Sequence, residues 1–228
     1  MTTTGDIPTL QGTSQPLKGI RRAAAKHMVA AWQGPAFHLT VEVDMTNALT
    51  VKSISPQSTV TDRLISAAAT ALSEKKELNA HYSDEGVTIF EDINIGIAVA
   101  TDAGLTVPVI HGVPNMSLPD IARRRREIVE KARTRKLGMA DISAGTFTIS
   151  NLGMLGIDRF DAIINVPQVA ILAVAATRER YVMRDGHAEW APMAELTLTC
   201  DHRAVDGYTG AVFLKRLKEL IEAPLSTL

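Results

Sequence analysis

Residues 196–221 change hydrophobic period midway, and that change dictates a strand, a tight turn and a helix in succession. Leu196, Leu198 and Cys200 alternate with Thr197 and Thr199, so one strand face is apolar and the other polar. After Asp206 and Gly207, the residues Phe213, Leu214, Leu217, Leu220 and Ile221 recur at helical spacing. Between the two patterns His202 continues the apolar row, which places an imidazole at the buried side of the strand, where the dielectric is low. Asp201 and Arg203 belong to the opposite face. Read locally, such an imidazole is either a core histidine satisfied by a backbone carbonyl or, since histidine titrates near neutral pH without assistance, a candidate general base.

The rest of the chain interleaves the same two periods. Helical spacing is expected over 20–32, over 58–78 (Leu64, Ile65, Ala68, Ala69 and Leu72, capped near Thr61 and Asp62) and from Ser117 to about Lys136 (Ile121, Ile128, Val129 and Ala132). Strands are expected over 37–43, 87–90, 93–101, 105–110, 146–150, 169–175 and 196–202, with Asp102 to Gly104 forming a turn. Strands alternating with amphipathic helices imply an α/β fold, a mixed sheet in a two-layer sandwich. Residues 1–17 lack periodicity and read as a flexible arm, leaving 18–228 as one domain, since no linker-like stretch interrupts it.

Composition narrows the function classes. A net charge of −1 gives no global attraction to nucleic acid or to an anionic membrane. One cysteine excludes an intrachain disulfide and, with no signal-like or membrane-spanning apolar run, points to a cytoplasmic protein. His27, His38, His81, His111 and His187 show no metal-ligand spacing, so no metal is expected. Arg123 to Arg126 is a basic run broken by Glu127 and Glu130, and reads as a solvated helix face. Cys200, on the apolar face, reads as inert packing. The glycines of Gly153-Met-Leu-Gly156 lack a phosphate-loop pattern.

The run Leu196-Thr-Leu-Thr-Cys-Asp-His-Arg-Ala-Val-Asp-Gly207 resembles the active-site motif of the catalytic domain of 2-oxo acid dehydrogenase acyltransferases, which share a fold with chloramphenicol acetyltransferase. Further matches follow in order: Gly19-Ile-Arg-Arg22, Val41-Glu-Val-Asp-Met-Thr46, Asn94 to Thr101, Gly104 to Val109, Gly145-Thr-Phe-Thr-Ile-Ser-Asn-Leu-Gly153 and Ile163-Ile-Asn-Val-Pro-Gln168. This resemblance implies a chloramphenicol acetyltransferase-like sandwich, and His202 as the base acting on a thiol of coenzyme A or dihydrolipoamide. It implies Ser150 as donor to the oxyanion of the tetrahedral intermediate; read locally, Ser150 is also explained as a strand-ending serine bonded to its own backbone. Asp206 reads as a helix N-cap or as a carboxylate fixing the His202 loop by pairing with Arg21, with Arg22 or Arg203 as substitutes. Asn151 and Gly153 are the expected substrate and coenzyme A contacts. No covalently bound cofactor is implied; acetyl-CoA and CoA are substrates, and the active site lies in a channel of a homotrimer.

Two departures bear on the acceptor. The family commonly has histidine after the proline at the head of its Glu-Val-Asp strand, where this chain has Ala36, and the stretch 47–58 is short and contains Pro56. With no lipoyl-type or partner-binding segment in the sequence, these favour a free-standing acetyltransferase acting on a hydroxyl of a small or carrier-bound metabolite in a natural-product pathway. The alternatives are the catalytic core of a dihydrolipoamide acyltransferase, with lipoamide as substrate, and a catalytically silent trimeric scaffold.

Overall fold

The computed structural model describes residues 11–224, so much of the arm expected over 1–17 lies outside the described residues. Residues 11–18 are exposed and carry no regular secondary structure. A seven-stranded mixed sheet follows, made of β1 (Ala36–Asp44), β2 (Ile95–Ile97), β3 (Val109–Ile110), β4 (Phe147–Asn151), β5 (Ala170–Val174), β6 (Arg178–Arg184) and β7 (His187–Asp201). Their order is β1-β7-β5-β4-β2-β3, with β6 paired to the first half of β7. The central β4 runs parallel to β2 and β5, while β1 and β5 flank β7 antiparallel.

Four longer helices, α1 (Gly19–Trp32), α2 (Val60–Glu74), α3 (Leu118–Arg133) and α4 (Gly207–Glu222), complete the framework. Leu64, Ile65, Ala68 and Leu72 of α2 and Phe213, Leu217 and Ile221 of α4 are fully buried, each large aliphatic side chain contributing about 1.5–3 kcal/mol by leaving water. Phe213 meets Phe147 of β4 at 5.8 Å between ring centroids, which seats α4 on the sheet. Gly210 permits the close approach: a Cβ there would lie 2.8 Å from Leu39 of β1. The helices thus cover the face that carries Phe37, Leu39, Leu198 and Cys200, as the alternation requires.

The opposite face is polar, exposed along β1 and buried along the second half of β7. Thr40 bonds Thr197 at 2.9 Å, His38 Nδ1 bonds the Thr199 hydroxyl at 3.0 Å, and Glu195 meets Arg180 at 3.1 Å and Arg159. Threonines at 2% exposure or less are tolerable there because each hydroxyl has a partner.

Several boundaries differ from the sequence expectation. The 58–78 helix spans only Val60–Glu74, because Thr59 is its N-cap: the Asp62 carboxylate accepts the Thr59 N–H at 2.8 Å. The strand expected over 93–101 leaves the sheet at Ala98, and Val99–Thr101 instead pairs with Gly104–Thr106 in a separate hairpin. β6 and the first half of β7 escaped the periodicity because almost every residue in them is exposed. Asp185 and Gly186, at φ 51° and 81°, form the two-residue turn that joins them, and this dipeptide was the available signal.

Candidate active site

β7 delivers His202, but not as a strand residue. The ladder ends where Asp201 meets Ala36, the first residue of β1, and His202 to Ala204 turn away. Asp201 builds this turn: it is buried, its carbonyl accepts the N–H groups of Ala204 and Val205 at 3.0 Å, and its carboxylate accepts the Arg203 N–H at 3.0 Å. Arg203 folds back onto the same carboxylate at 2.6 Å and lays its guanidinium 3.9 Å above the Tyr82 ring. The His202 N–H donates to the Pro35 carbonyl at 2.8 Å, and its ring sits 4.7 Å from that of Phe37. His202 is exposed in the isolated chain, which corrects the expectation of a low-dielectric site at the strand's buried side.

The expected carboxylate pairing does not form within the chain. Asp206 caps α4, accepting the Thr209 N–H at 2.7 Å; that bond, and to a smaller extent the nearby His202, holds its carboxyl below the usual value. Arg21 packs against Gly104 of the small hairpin instead, and Arg203 is committed to Asp201. The cap explains the residue type at Asp206, and within one chain it is Asp201 whose carboxylate and carbonyl hold the His202 loop.

Ser150 emerges from β4 on the polar face, two residues after Thr148, while Phe147 and Ile149 face the helices. The Asn151 Oδ1 accepts the Gly153 N–H at 2.9 Å, and its Nδ2 reaches Thr61 at 3.4 Å. A Cβ on Gly153 would meet the Ala175 carbonyl at 2.7 Å, so this turn requires glycine. Both residues expected to contact substrate therefore shape the turn after Ser150. The arginine run is also engaged: Arg123 pairs with Asp120, Arg124 with Asp141, Arg125 with the buried Asp62 at 2.6 Å, and Arg126 donates to the Gln57 carbonyl. Burial pushes the Cys200 thiol up to about 12, consistent with inert packing.

One chain does not bring His202 and Ser150 together. Ser150 pairs with Ala173, which pairs with Thr197, and His202 lies five residues beyond Thr197. At about 3.4 Å per residue and 4.8 Å per strand, the two residues stand roughly 17 Å apart along the sheet and 10 Å across it. The His202 ring rests beside Phe37, on the side of β1 that packs against the helices, while Ser150 lies on the face of Thr197. A cavity of about 450 Å³ opens on the polar face, lined by Trp32, Ala36, His38, Asp161, Ile163 and Thr199. Sequence reasoning missed Phe37 and Tyr82, whose roles depend on the β1 register and on a hairpin of Ala80–Ser83 with Gly86–Ile89, distant along the chain. Among the described residues no group of three or more His, Cys, Asp or Glu is placed to hold a metal ion, and no helix is long and apolar enough to cross a membrane.

The mixed sheet thus presents Ser150 and His202 at its two ends, and comparison with known proteins gives the class, an acyltransferase catalytic domain. Residues 10–228 match the family model described as 2-oxoacid dehydrogenases acyltransferase (catalytic domain), and the chain belongs to that family. The dihydrolipoyllysine-residue acetyltransferase component of the mitochondrial pyruvate dehydrogenase complex of Dictyostelium discoideum is 38% identical over 96% of this chain and 36% of its own length. The chain thus spans about a third to a half of the length of the curated relatives it matches. A probable dihydrolipoamide acetyltransferase from Listeria monocytogenes superposes with a TM-score of 0.89 at 35% identity, covering 92% of this chain and 94% of that one. The dihydrolipoamide acetyltransferase of Azotobacter vinelandii does so with a TM-score of 0.89 at 31% identity, covering 95% and 96%. The serine, histidine and asparagine studied in the catalytic mechanism of the latter lie at the same spacings as Ser150, His202 and Asp206. Chloramphenicol acetyltransferase, at 15% identity and a TM-score of 0.60, shares the fold.

These relatives overturn the expectation of a free-standing natural-product acetyltransferase, since they are named as components of pyruvate dehydrogenase complexes. The structure explains why one of the two departures misled. The segment 47–58 follows the far end of β1, where Asn47 donates to the Glu222 carbonyl; that end is about 30 Å from Pro35 at 3.4 Å per residue. Within one chain this segment therefore lies at the end of β1 away from His202.

Proposed function

We propose that this chain is the catalytic core of a dihydrolipoamide acetyltransferase, moving an acetyl group between a dihydrolipoyl thiol and coenzyme A. Supporting this is the coincidence of a His202 turn and a Ser150 strand, at the spacings found in the A. vinelandii enzyme, within a fold that follows that enzyme along nearly its whole length. In the reaction, the His202 imidazole takes the proton of the acceptor thiol as its sulfur bonds to the thioester carbonyl carbon. The carbonyl electron pair moves to oxygen, where the Ser150 hydroxyl donates a hydrogen bond. Collapse of the intermediate re-forms the carbonyl and expels the donor sulfur, which leaves with the proton held by the imidazolium. A thiol ionises near pH 8.5, so an imidazole is an adequate base for either direction.

The separation of His202 from Ser150 calls for a second copy: one chain supplies the base, its neighbour the hydroxyl, and a closed ring of three satisfies every half-site. Burial of His202 then arises at the contact between copies. A single thiol, buried and inert, suits a reducing compartment such as the cytoplasm. The test is to incubate the protein with acetyl-CoA and free dihydrolipoamide and to follow S-acetyl product and free coenzyme A, with light scattering on the same sample. Transfer by a trimer or a multiple of it is expected. Failure to acetylate dihydrolipoamide, or an active species of 24.6 kDa, contradicts the reading.

A further inference from the structure

The motif Ile163 to Gln168 is absorbed neither by the His202 turn nor by the residues of the Ser150 strand, yet it reaches directly under that strand. Asn165 Nδ2 donates to the Thr148 hydroxyl at 3.2 Å, and the Thr148 O–H donates to Gln168 Oε1 at 2.6 Å. His27 Nε2 lies 3.0 Å from Asn165 Oδ1; a carbonyl oxygen only accepts, so this ring nitrogen carries the proton. The donors therefore point one way, from α1 through Asn165 and Thr148 to Gln168. Thr148 is 1% exposed and Gln168 4%. Valine would fill the same buried strand position without burying a hydroxyl and an amide, so packing alone gives no reason for polar groups there. With its one proton committed to Gln168 and a lone pair to Asn165, the Thr148 hydroxyl has a fixed rotor, and Ser150 leaves β4 on the same face one pleat further on.

We propose that Thr148, clamped between Asn165 and Gln168 and anchored by His27, is a positioning residue that sets the orientation of Ser150 for acyl transfer. This rests on the reading of Ser150 as oxyanion donor, and it assigns the clamp no contact with substrate. A misplacement of the order of an ångström at such a donor costs up to 10²-fold in rate. Since an oxyanion donor acts in the transition state, the loss falls on kcat and spares KM.

The test is a double-mutant cycle on the trimeric enzyme with acetyl-CoA and dihydrolipoamide. Thr148→Val is expected to lower kcat about tenfold with KM unchanged, Thr148→Ser to restore it, and Thr148→Val to cause no further loss in a Ser150→Ala background. His27→Ala, at the partly exposed end of the relay where folding is least at risk, is expected to give a smaller loss with the same dependence on Ser150. Normal kcat in Thr148→Val beside a crippled Ser150→Ala overturns the clamp alone. Losses that multiply fully in the double variant also overturn it, by marking Thr148 as merely structural. Normal turnover in Ser150→Ala overturns the clamp together with the reading on which it rests.

Discussion

The two ends of the sheet present their functional groups by opposite means. At the β7 end, the reactive side chain is exposed and the rigidity lies behind it, in buried Asp201, the Arg203 guanidinium it holds and the Tyr82 ring beneath. At the β4 end, Ser150 sits within the sheet, flanked by β2 and β5 and backed by the buried Thr148 cluster. A turn at a strand terminus can aim an imidazole outward; a central strand can aim a hydroxyl only along the pleat normal. The contrast teaches that one chain presents the two groups apart, each held by its own support, and the proposed function places their union at the contact between copies.

The comparison is broken most severely by removing a reactive group. His202→Ala is expected to lower kcat by about 10²–10⁴-fold with little change in melting temperature, because the side chain is exposed in the single chain and the turn is held by its backbone N–H and by Asp201. Thiol release from acetyl-CoA in the presence of dihydrolipoamide measures it. Ser150→Ala is expected to cost about 10²–10³-fold in kcat with little change in KM; a change confined to KM shows a ground-state contact instead.

Weaker perturbations separate the two supports. Asp201→Ala removes the carboxylate that holds the turn and leaves Arg203 without its partner, so a stability loss of about 1–3 kcal/mol is expected by denaturant titration, with kcat falling through His202. Asp141 lies outside both half-sites and serves as the control. The Gly138 N–H and then Lys131 and Arg124 hold its carboxyl down at about 2, against an ordinary 3.8. A lowered folded-state value contributes stability that is complete above about pH 4 and lost as pH falls from about 4 toward 2. Asp141→Asn is expected to cost about 1–2 kcal/mol at pH 7, discounted for the partly exposed cations, to erase that acid dependence, and to leave kcat unchanged.

Much of this was legible in the sequence where burial imposes a period. Leu196, Leu198 and Cys200 followed by a helical stripe placed β7, the turn and α4, and the alternation of Phe147 and Ile149 with Thr148 and Ser150 placed β4. The β6 ribbon was not legible, because solvent covers both of its faces and imposes no alternation. The environment of His202 was misread because periodicity carries a strand forward until something stops it. What stops β7 is the end of its partner β1 and the hydrogen bonds of Asp201, and neither leaves a trace in hydrophobicity. Arg21 could not be placed from sequence either, since its neighbour Gly104 is distant along the chain. Ala36 does line the polar-face cavity, so that departure is real in space, whereas the one at 47–58 belongs to the packing of α4.

The central claim, that His202 and Ser150 act across two copies, is tested most directly by complementation. His202→Ala and Ser150→Ala chains, each inactive, are unfolded together in equal amounts and refolded into mixed assemblies, and acetyl transfer from acetyl-CoA to dihydrolipoamide is measured. If each site takes its histidine from one chain and its serine from the next, random mixing restores about a quarter of the wild-type activity, the fraction of contacts that join two intact halves. If both residues of a site belong to one chain, the mixture stays at the level of its inactive parents, and the account is wrong.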